Sequence, residues 1–371
     1  MSEPTLTLDA VNKIYGGTVH AVKDVAMSVE PGEIVALLGS SGCGKTSTLR
    51  MIAGFEEVTS GSIWLKGRKI QSLPPAKRNV AMAFEGYSLY PPLTVRENID
   101  FALRSAGMAR AEADRKVQEI AHLLSIEEVL ERYPASISGG QQQRASLGRA
   151  LVREADLHLL DEPMGQLEPR LRALLRGRIK HFIKELGRTT ILVTHDQTEA
   201  NALADRIAVM EAGLLQQFAT PEALKERPAN LFTGTFIGEP PMNVLSAVAS
   251  RANGGVRFEL ERGLTLSYPA SDFNEEVLSR VIQRRHLVLG VRPHAVRLTG
   301  DGAPATVMAN QWLGDQTHVA ATFAGSPLVA VEHDRTSLAK GEQIGIAFDP
   351  SDLHLFDPET GVAFAHGNEL A

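Results

Sequence analysis

The segment GSSGCGKT, Gly39 to Thr46, holds glycines, a lysine and a threonine at the spacing G-x-x-x-x-G-K-[ST]. It follows the apolar run GEIVALLG and precedes the helical pattern KTSTLRMIAGF, the strand-to-helix setting a phosphate-binding loop requires. Glycines let backbone amides turn inward around phosphate oxygens, and the helix start adds its partial positive charge. Gly39, Ser40, Ser41, Gly42, Cys43, Gly44, Lys45, Thr46 and Ser47 form the candidate phosphate site. Lys45 is expected to reach the β and γ phosphates of a nucleotide, and the Thr46 hydroxyl to bind Mg²⁺. Cys43 stands alone, so it suggests no metal cluster; it reads first as a small residue of the loop, and second as a thiol whose modification would block nucleotide entry.

LHLLDEP is a second constellation. The buried-strand pattern Leu157 to Leu160 delivers Asp161 and Glu162 at the carboxyl edge of a parallel sheet, where ligands of such sheets gather. Asp161 suits the Mg²⁺ shell, and Glu162 suits a general base for the attacking water. His195 ends a further strand, TTILVTH, at the same edge. SGGQQQR, Ser138 to Arg144, starts a helix with a serine and two glycines, a second anion-binding arrangement. Glu85 is a different kind of signal: the strand pattern VAMAF breaks off on this carboxylate, and a charge there needs a reason.

The elements that must position these groups follow from the hydrophobic pattern. Short apolar runs alternate with helical segments up to about residue 235, which predicts a parallel sheet covered by helices. Residues 86–153 read mainly as helix and form an insert within that α/β domain. The segments GVRFELERG, LTLSYP, HLVLGVRP, THVAATFAG and GIAFDP alternate with turns and predict a small all-β barrel over 236–371. Pro240 and Pro241 mark the neighbourhood of the expected linker.

With 371 residues the chain has room for two or three domains. Its net charge of -6 supplies no basic stripe, so nucleic acid is not an expected partner. The single cysteine fits a reducing cytosol. The first residues lack a signal-peptide pattern, and no run of about 18 apolar residues predicts a membrane span.

The phosphate loop, SGGQ, LLDEP and VTH, in this order, resemble the ATPase subunit of an ATP-binding-cassette transporter. The tail segments FIGEPPMNVL, GVRPHAVRL, WLGDQTHV and DPSDLHLFDPETG resemble the regulatory domain of the maltose-type carbohydrate importer ATPases, which has an oligosaccharide-binding-fold (OB-like) core. The resemblance implies an α/β P-loop NTPase with a helical insert, followed by that β domain. It implies ATP and Mg²⁺ as cofactors. It implies a homodimer, or a dimer with a close homologue, lying peripherally on the cytoplasmic face of a bacterial inner membrane. The implied partners are two transmembrane permeases and, through them, a periplasmic or lipid-anchored solute-binding protein. ATP would lie between the P-loop of one subunit and Ser138, Gly139, Gly140 and Gln141 of the other. Tyr15 matches the aromatic that stacks on adenine, and Arg132 a basic residue that reaches toward the partner's nucleotide. Glu162 and His195 carry over as catalytic residues. Glu85 stands where relatives usually carry a glutamine that touches Mg²⁺ and the attacking water, and Glu168 where they carry an aspartate. The segment YSLYPPLTVRENI is expected to line a groove for the permeases. The implied cargo is a sugar, sugar alcohol or glycerol-phosphate-like solute. Importers of polyamine, sulfate or iron are alternatives. A DNA-repair cassette is opposed by the short gap between Lys45 and Ser138, which leaves no room for a coiled-coil insert. A purely regulatory cassette is opposed by the full set Lys45, Asp161, Glu162 and His195.

Overall fold

The structure, a computed structural model, describes residues 3–252 and 254–370. The chain divides into two units, Met1–Pro221 and Glu222–Ala371. The expected boundary at 235/236 therefore falls inside the second unit, as do Pro240 and Pro241. The physical reason is a buried arginine: Arg292 donates to the carbonyls of Lys225 at 2.9 Å and Gly234 at 2.8 Å, and to that of Ile237. Met242 and Leu231 pack against Phe356 in the same unit.

In the first unit a six-stranded sheet runs in the order Leu214–Ala219, Arg206–Glu211, Ile34–Gly39, Thr190–Thr194, Leu157–Asp161 and Val80–Ala83. All neighbours are parallel except the pair Leu214–Ala219 and Arg206–Glu211. Strands buried on both faces read as continuous apolar runs, and Ile34–Gly39, Leu157–Asp161 and Thr190–Thr194 are buried at every position. Register aligns Leu38 with Thr194, Asp161 with Val193, and Ala83 with Leu160. Parallel pairing thus brings the residues after Gly39, Ala83, Leu160 and Thr194 to one edge.

Helices Lys45–Ala53, Pro169–Glu185 and Gln197–Leu203 accompany this sheet, and the insert contributes Val95–Ser105, Arg110–Leu124 and Gly139–Leu151. Helix Arg110–Leu124 buries Ala113, Val117, Ile120, Ala121 and Leu124, the helical period its sequence predicts. Helix Val95–Ser105 starts at Thr94, whose side chain and that of Glu97 cap each other's backbone amides.

The first unit also carries a second, antiparallel sheet that the sequence pattern does not predict. It orders Val19–Val29, Leu6–Tyr15, Ser60–Leu65 and Arg68–Lys69. Its alternation is broken in the sequence because the pairing of Leu6–Tyr15 with Val19–Val29 shifts register three times.

The second unit holds two antiparallel sheets. One orders Thr265–Pro269, Gly255–Leu260, Asn243–Ala252, His286–Val291, Leu353–Phe356 and Ala363–His366. The other orders Arg297–Thr299, Gln343–Ala347, Ala303–Trp312, Thr317–Phe323 and Ser326–Glu332. Both contribute to a single core that includes Phe258, Leu289, Val319, Phe323 and Leu355. Helix Glu275–Arg284 adds Val277, Leu278 and Val281 to that core, an element the all-β expectation lacked.

His158 lies fully buried in strand Leu157–Asp161, with Nε2 3.1 Å from the Arg153 carbonyl and Nδ1 without a partner. Burial lowers its pKa from 6.5 to about 4. Its neutral form is favoured in the fold, so its contribution to stability is complete above the unfolded value and is lost as pH falls through 6.5 toward 4. The buried carboxyls Asp161 and Glu199 have raised pKa values and act in the opposite sense, so a variant isolates the histidine. Relative to His158→Leu, the protein is expected to lose about 2 kcal/mol between about pH 7.5 and pH 5. Urea unfolding of both proteins across that range checks this; a difference independent of pH would contradict it.

Candidate nucleotide site

The phosphate loop closes against the sheet edge. A Cβ on Gly39 would lie 2.1 Å from the Met210 carbonyl oxygen and 2.7 Å from Cys43 Sγ, so no side chain fits there. Gly44 sits at φ 106, where a Cβ would meet the Ala21 carbonyl at 2.5 Å. Lys45 is 7% exposed, and its Nζ donates to the carbonyls of Gly39 and Ser40, each at 2.8 Å. These acceptors are neutral backbone oxygens, so neither forms an ion pair with the ammonium. Ser40 Oγ donates to Glu211 at 2.5 Å. Ser41 and Gly42 are exposed, and Thr46 and Ser47 are half-buried. Tyr15 reaches the same helix: its hydroxyl lies 3.1 Å from Ser47 Oγ, and Lys13 Nζ sits 4.7 Å from its ring centroid.

Cys43 is 2% exposed. Burial raises the pKa of its thiol, with Lys45 opposing, so it is a packed, protonated thiol. This accords with the reading of Cys43 as a small residue of the loop, and the second reading, a modifiable thiol, is corrected on this ground.

Across the edge stand Asp161, Glu162 and His195. Asp161 is 3% exposed, and its Oδ1 has no hydrogen-bond partner. Burial, then the charge of Glu85, pushes its pKa up to about 6, with Glu162 adding to the rise. A buried carboxylate oxygen without a partner is costly, and a cation would satisfy it. Among the described residues no three His, Cys, Asp or Glu side chains converge on a metal. A cation at Asp161 would therefore take most of its ligands from phosphate oxygens and water, as Mg²⁺ prefers.

Glu162 occupies φ 49, a left-handed conformation that turns its carboxylate out of the strand direction. Its amide donates to the Val193 carbonyl at 3.0 Å, and its own carbonyl accepts from Gln143 Nε2 at 2.8 Å. The carboxylate oxygen Oε2 lies 2.6 Å from His195 Nδ1. The two side chains predicted from separate strands are therefore in direct contact.

Glu85 follows strand Val80–Ala83 on an exposed turn. The next residues are strained: Tyr87 and Ser88 both have positive φ, at 61 and 49. Arg149, on the helix that begins with the SGGQ signature, Ser138–Gln141, holds this turn. It donates to the carbonyls of Ser88 at 2.7 Å and Tyr87 at 3.1 Å, and lies 5.3 Å from the Tyr90 ring centroid.

Ser138 caps helix Gly139–Leu151: its hydroxyl accepts from the Gln141 amide at 3.3 Å, and Gln141 Oε1 accepts from the Ser138 amide at 2.9 Å. Gly139 and Gly140 stand in the first turn, and a Cβ on Gly139 would lie 2.8 Å from Gln166 Oε1. No hydrogen bond among the described residues joins Ser138–Gln141 to Gly39–Ser47. Arg132 is exposed, and so is Glu168, which precedes helix Pro169–Glu185 without capping it through its side chain.

Three residues that sequence reasoning passes over connect these parts. Gln143 bridges the Glu162 carbonyl and, at 3.0 Å, the Gln166 amide. Arg149 clamps the Glu85 turn. Arg172 pairs with Asp196 at 3.0 Å and donates to the Leu167 carbonyl at 3.1 Å. Gln143 and Arg149 follow the signature at helical spacing, which is the one signal that could have flagged them.

A groove of about 830 Å³ opens beside the Glu85 turn, lined by Phe55, Phe84, Tyr90, Phe101, Met108 and Arg149 among others. Phe55, Phe101 and Tyr90 are 53%, 48% and 43% exposed. Among the described residues no helix is long and apolar enough to cross a membrane.

The ABC transporter family model matches residues 22–165, and the TOBE domain model matches residues 289–356. The sn-glycerol-3-phosphate import ATP-binding protein of Rhizobium johnstonii is 39% identical over 96% of this chain and 95% of its own length. The trehalose/maltose import ATP-binding protein of Thermococcus litoralis is 40% identical over 95% of this chain and 97% of its own. The dimeric ATP-binding cassette MJ0796 bound to ADP and phosphate covers 58% of this chain, with 98% of its own length matched, a TM-score of 0.54 and 26% identity. Phosphate loop, the buried Asp161, β tail and near-full-length relatives agree: the chain belongs to the family of ATP-binding subunits of ABC importers.

Proposed function

We propose that this chain hydrolyses ATP to drive uptake of a carbohydrate-like solute, the class being that of the sugar and glycerol phosphate named for its relatives. The observation that carries the reading is the single sheet edge bearing Lys45, the unpartnered Asp161, and Glu162 in contact with His195.

Lys45 and the amides of Gly39–Thr46 hold the phosphates, and Tyr15 offers its ring to the adenine. Mg²⁺, when bound by Thr46, Asp161 and Glu85, neutralises phosphate charge. Glu162 accepts a proton from the attacking water. His195 holds the Glu162 carboxylate through Nδ1, and its otherwise exposed ring is available to the γ-phosphate. Positioning and charge stabilisation dominate such phosphoryl transfer.

One chain does not complete the site. Ser138–Gln141 present a helix start with no nucleotide-loop partner in the same chain, which suits the phosphates bound by a second ATPase subunit, with Arg132 beside them. The exposed aromatic groove suits a helix from each of two permease subunits, which in turn receive solute from a binding protein. On this reading the chain lies peripherally on the cytoplasmic face of the inner membrane. Glu85 would add a second carboxylate beside Asp161 to a Mg²⁺ bound there, where the resemblance leads one to expect an amide, and that charge is expected to slow hydrolysis until the dimer closes.

Reconstitution with the permeases and a loaded binding protein tests coupling. Turnover is expected to rise roughly tenfold or more over the chain alone. Equal rates with and without partners would overturn the reading.

A further inference from the structure

The turn that presents His195 is built around one hydroxyl. Thr194 Oγ1 donates to Glu199 Oε2 at 2.6 Å and accepts from the Asp196 amide at 3.0 Å. The residues on either side of His195 are thereby pinned to the same atom. Glu199 lies on helix Gln197–Leu203 and is 3% exposed. Its amide donates to Asp196 Oδ1 at 3.0 Å and starts the helix. Its second carboxyl oxygen, Oε1, is buried without a partner. Asp196 also pairs with Arg172, which holds the carbonyl of Leu167 in the segment after Glu162.

A helix of this length needs no buried acid: an apolar side chain would fill the space without the desolvation cost. What the carboxyl supplies is a fixed acceptor for the Thr194 hydroxyl. We propose that Glu199 is a positioning residue for ATP hydrolysis, holding His195 against Glu162 through the Thr194 hydroxyl. The proposal rests on the assignment of Glu162 and His195 to the hydrolytic step. Burial raises the Glu199 carboxyl to about 7, with Asp196 and Glu162 adding to the rise and Thr194 and Arg172 opposing it. Either protonation state still presents an acceptor to Thr194, so the clamp survives across neutral pH.

The test is steady-state ATP hydrolysis by the full-length chain as wild type, Glu199→Ala, Glu199→Gln, Thr194→Val, the Glu199→Ala/Thr194→Val double variant and Glu162→Gln. Glu199→Ala and Thr194→Val are each expected to lower kcat roughly tenfold while KM for ATP stays within about twofold, the pattern of a lost transition-state arrangement. The double variant is expected to be no slower than either single one, because both remove one clamp. Glu199→Gln keeps an acceptor and is expected to restore most of kcat. If Glu199→Ala proves insoluble, Thr194→Val, nearly isosteric, and Glu199→Gln carry the same comparison. The proposal is overturned if Thr194→Val and Glu199→Ala turn over at the wild-type rate, if their losses multiply in the double variant, or if Glu199→Gln is as slow as Glu199→Ala. Wild-type turnover by Glu162→Gln would instead sink the underlying site assignment. A dead Glu162→Gln beside fast Glu199→Ala and Thr194→Val would sink this inference alone.

Discussion

Glu162→Gln is expected to bind ATP and to hydrolyse it only slowly. Glutamine preserves the length of the side chain and an oxygen that can face His195 Nδ1, which lies 2.6 Å from the carboxylate. The backbone supports, the Val193 carbonyl and Gln143, do not depend on the side chain. On the proposed mechanism, what disappears is the base that takes the proton from water, and losing a general base lowers turnover by about 10²- to 10⁴-fold. Phosphate release should fall by that factor while nucleotide binding, followed by a fluorescent ATP analogue, stays near the wild-type value. Wild-type hydrolysis by this variant would remove Glu162 from its assigned role.

Lys45→Ala has the largest expected effect on binding. The ammonium is buried in the loop and its oxygen acceptors are two backbone carbonyls, and among the described residues no carboxylate forms an ion pair with it, so its charge is available to a phosphate. A charge-assisted bond to phosphate of about 3 kcal/mol corresponds to roughly a hundredfold in affinity. Titration of the variant with ATP should show that weakening, and unchanged affinity would mean that the phosphates lie elsewhere.

The parts of the site legible in the sequence are those written in contiguous residues. Gly39–Thr46 declares itself because backbone geometry needs glycine at fixed offsets. Leu157–Glu162 declares itself because a fully buried strand seldom ends on two acids unless they meet a cation or a ligand. Ser138 with Gln141 is legible as a helix start, and the structure adds the reciprocal cap. Contacts between distant segments are not legible. Arg149 holds the carbonyls of Tyr87 and Ser88, far upstream, and Arg172 joins two loops that share no motif. Glu199 looks like a surface residue of a short helix until the fold buries it.

The same distinction applies to the fold. The parallel sheet follows from apolar runs, but the antiparallel sheet of Leu6–Tyr15 and Val19–Val29 is punctuated by bulges that hide its period. The unit boundary lies earlier than the composition suggests because Arg292, far along the chain, gathers the carbonyls of Lys225, Gly234 and Ile237. Nothing local to residues 222–237 reveals that partner.

The central claim is that two copies of this chain, or one and a close homologue, close over ATP, each supplying Ser138–Gln141 to the other's phosphate loop. The most direct measurement is the mass in solution of full-length Glu162→Gln, by light scattering, with Mg-ATP and with Mg-ADP. The account predicts a dimer with ATP and a monomer with ADP, and predicts that Ser138→Arg in the same background abolishes the dimer. A monomer under both nucleotides, or an ATP-dependent dimer indifferent to Ser138→Arg, would contradict it.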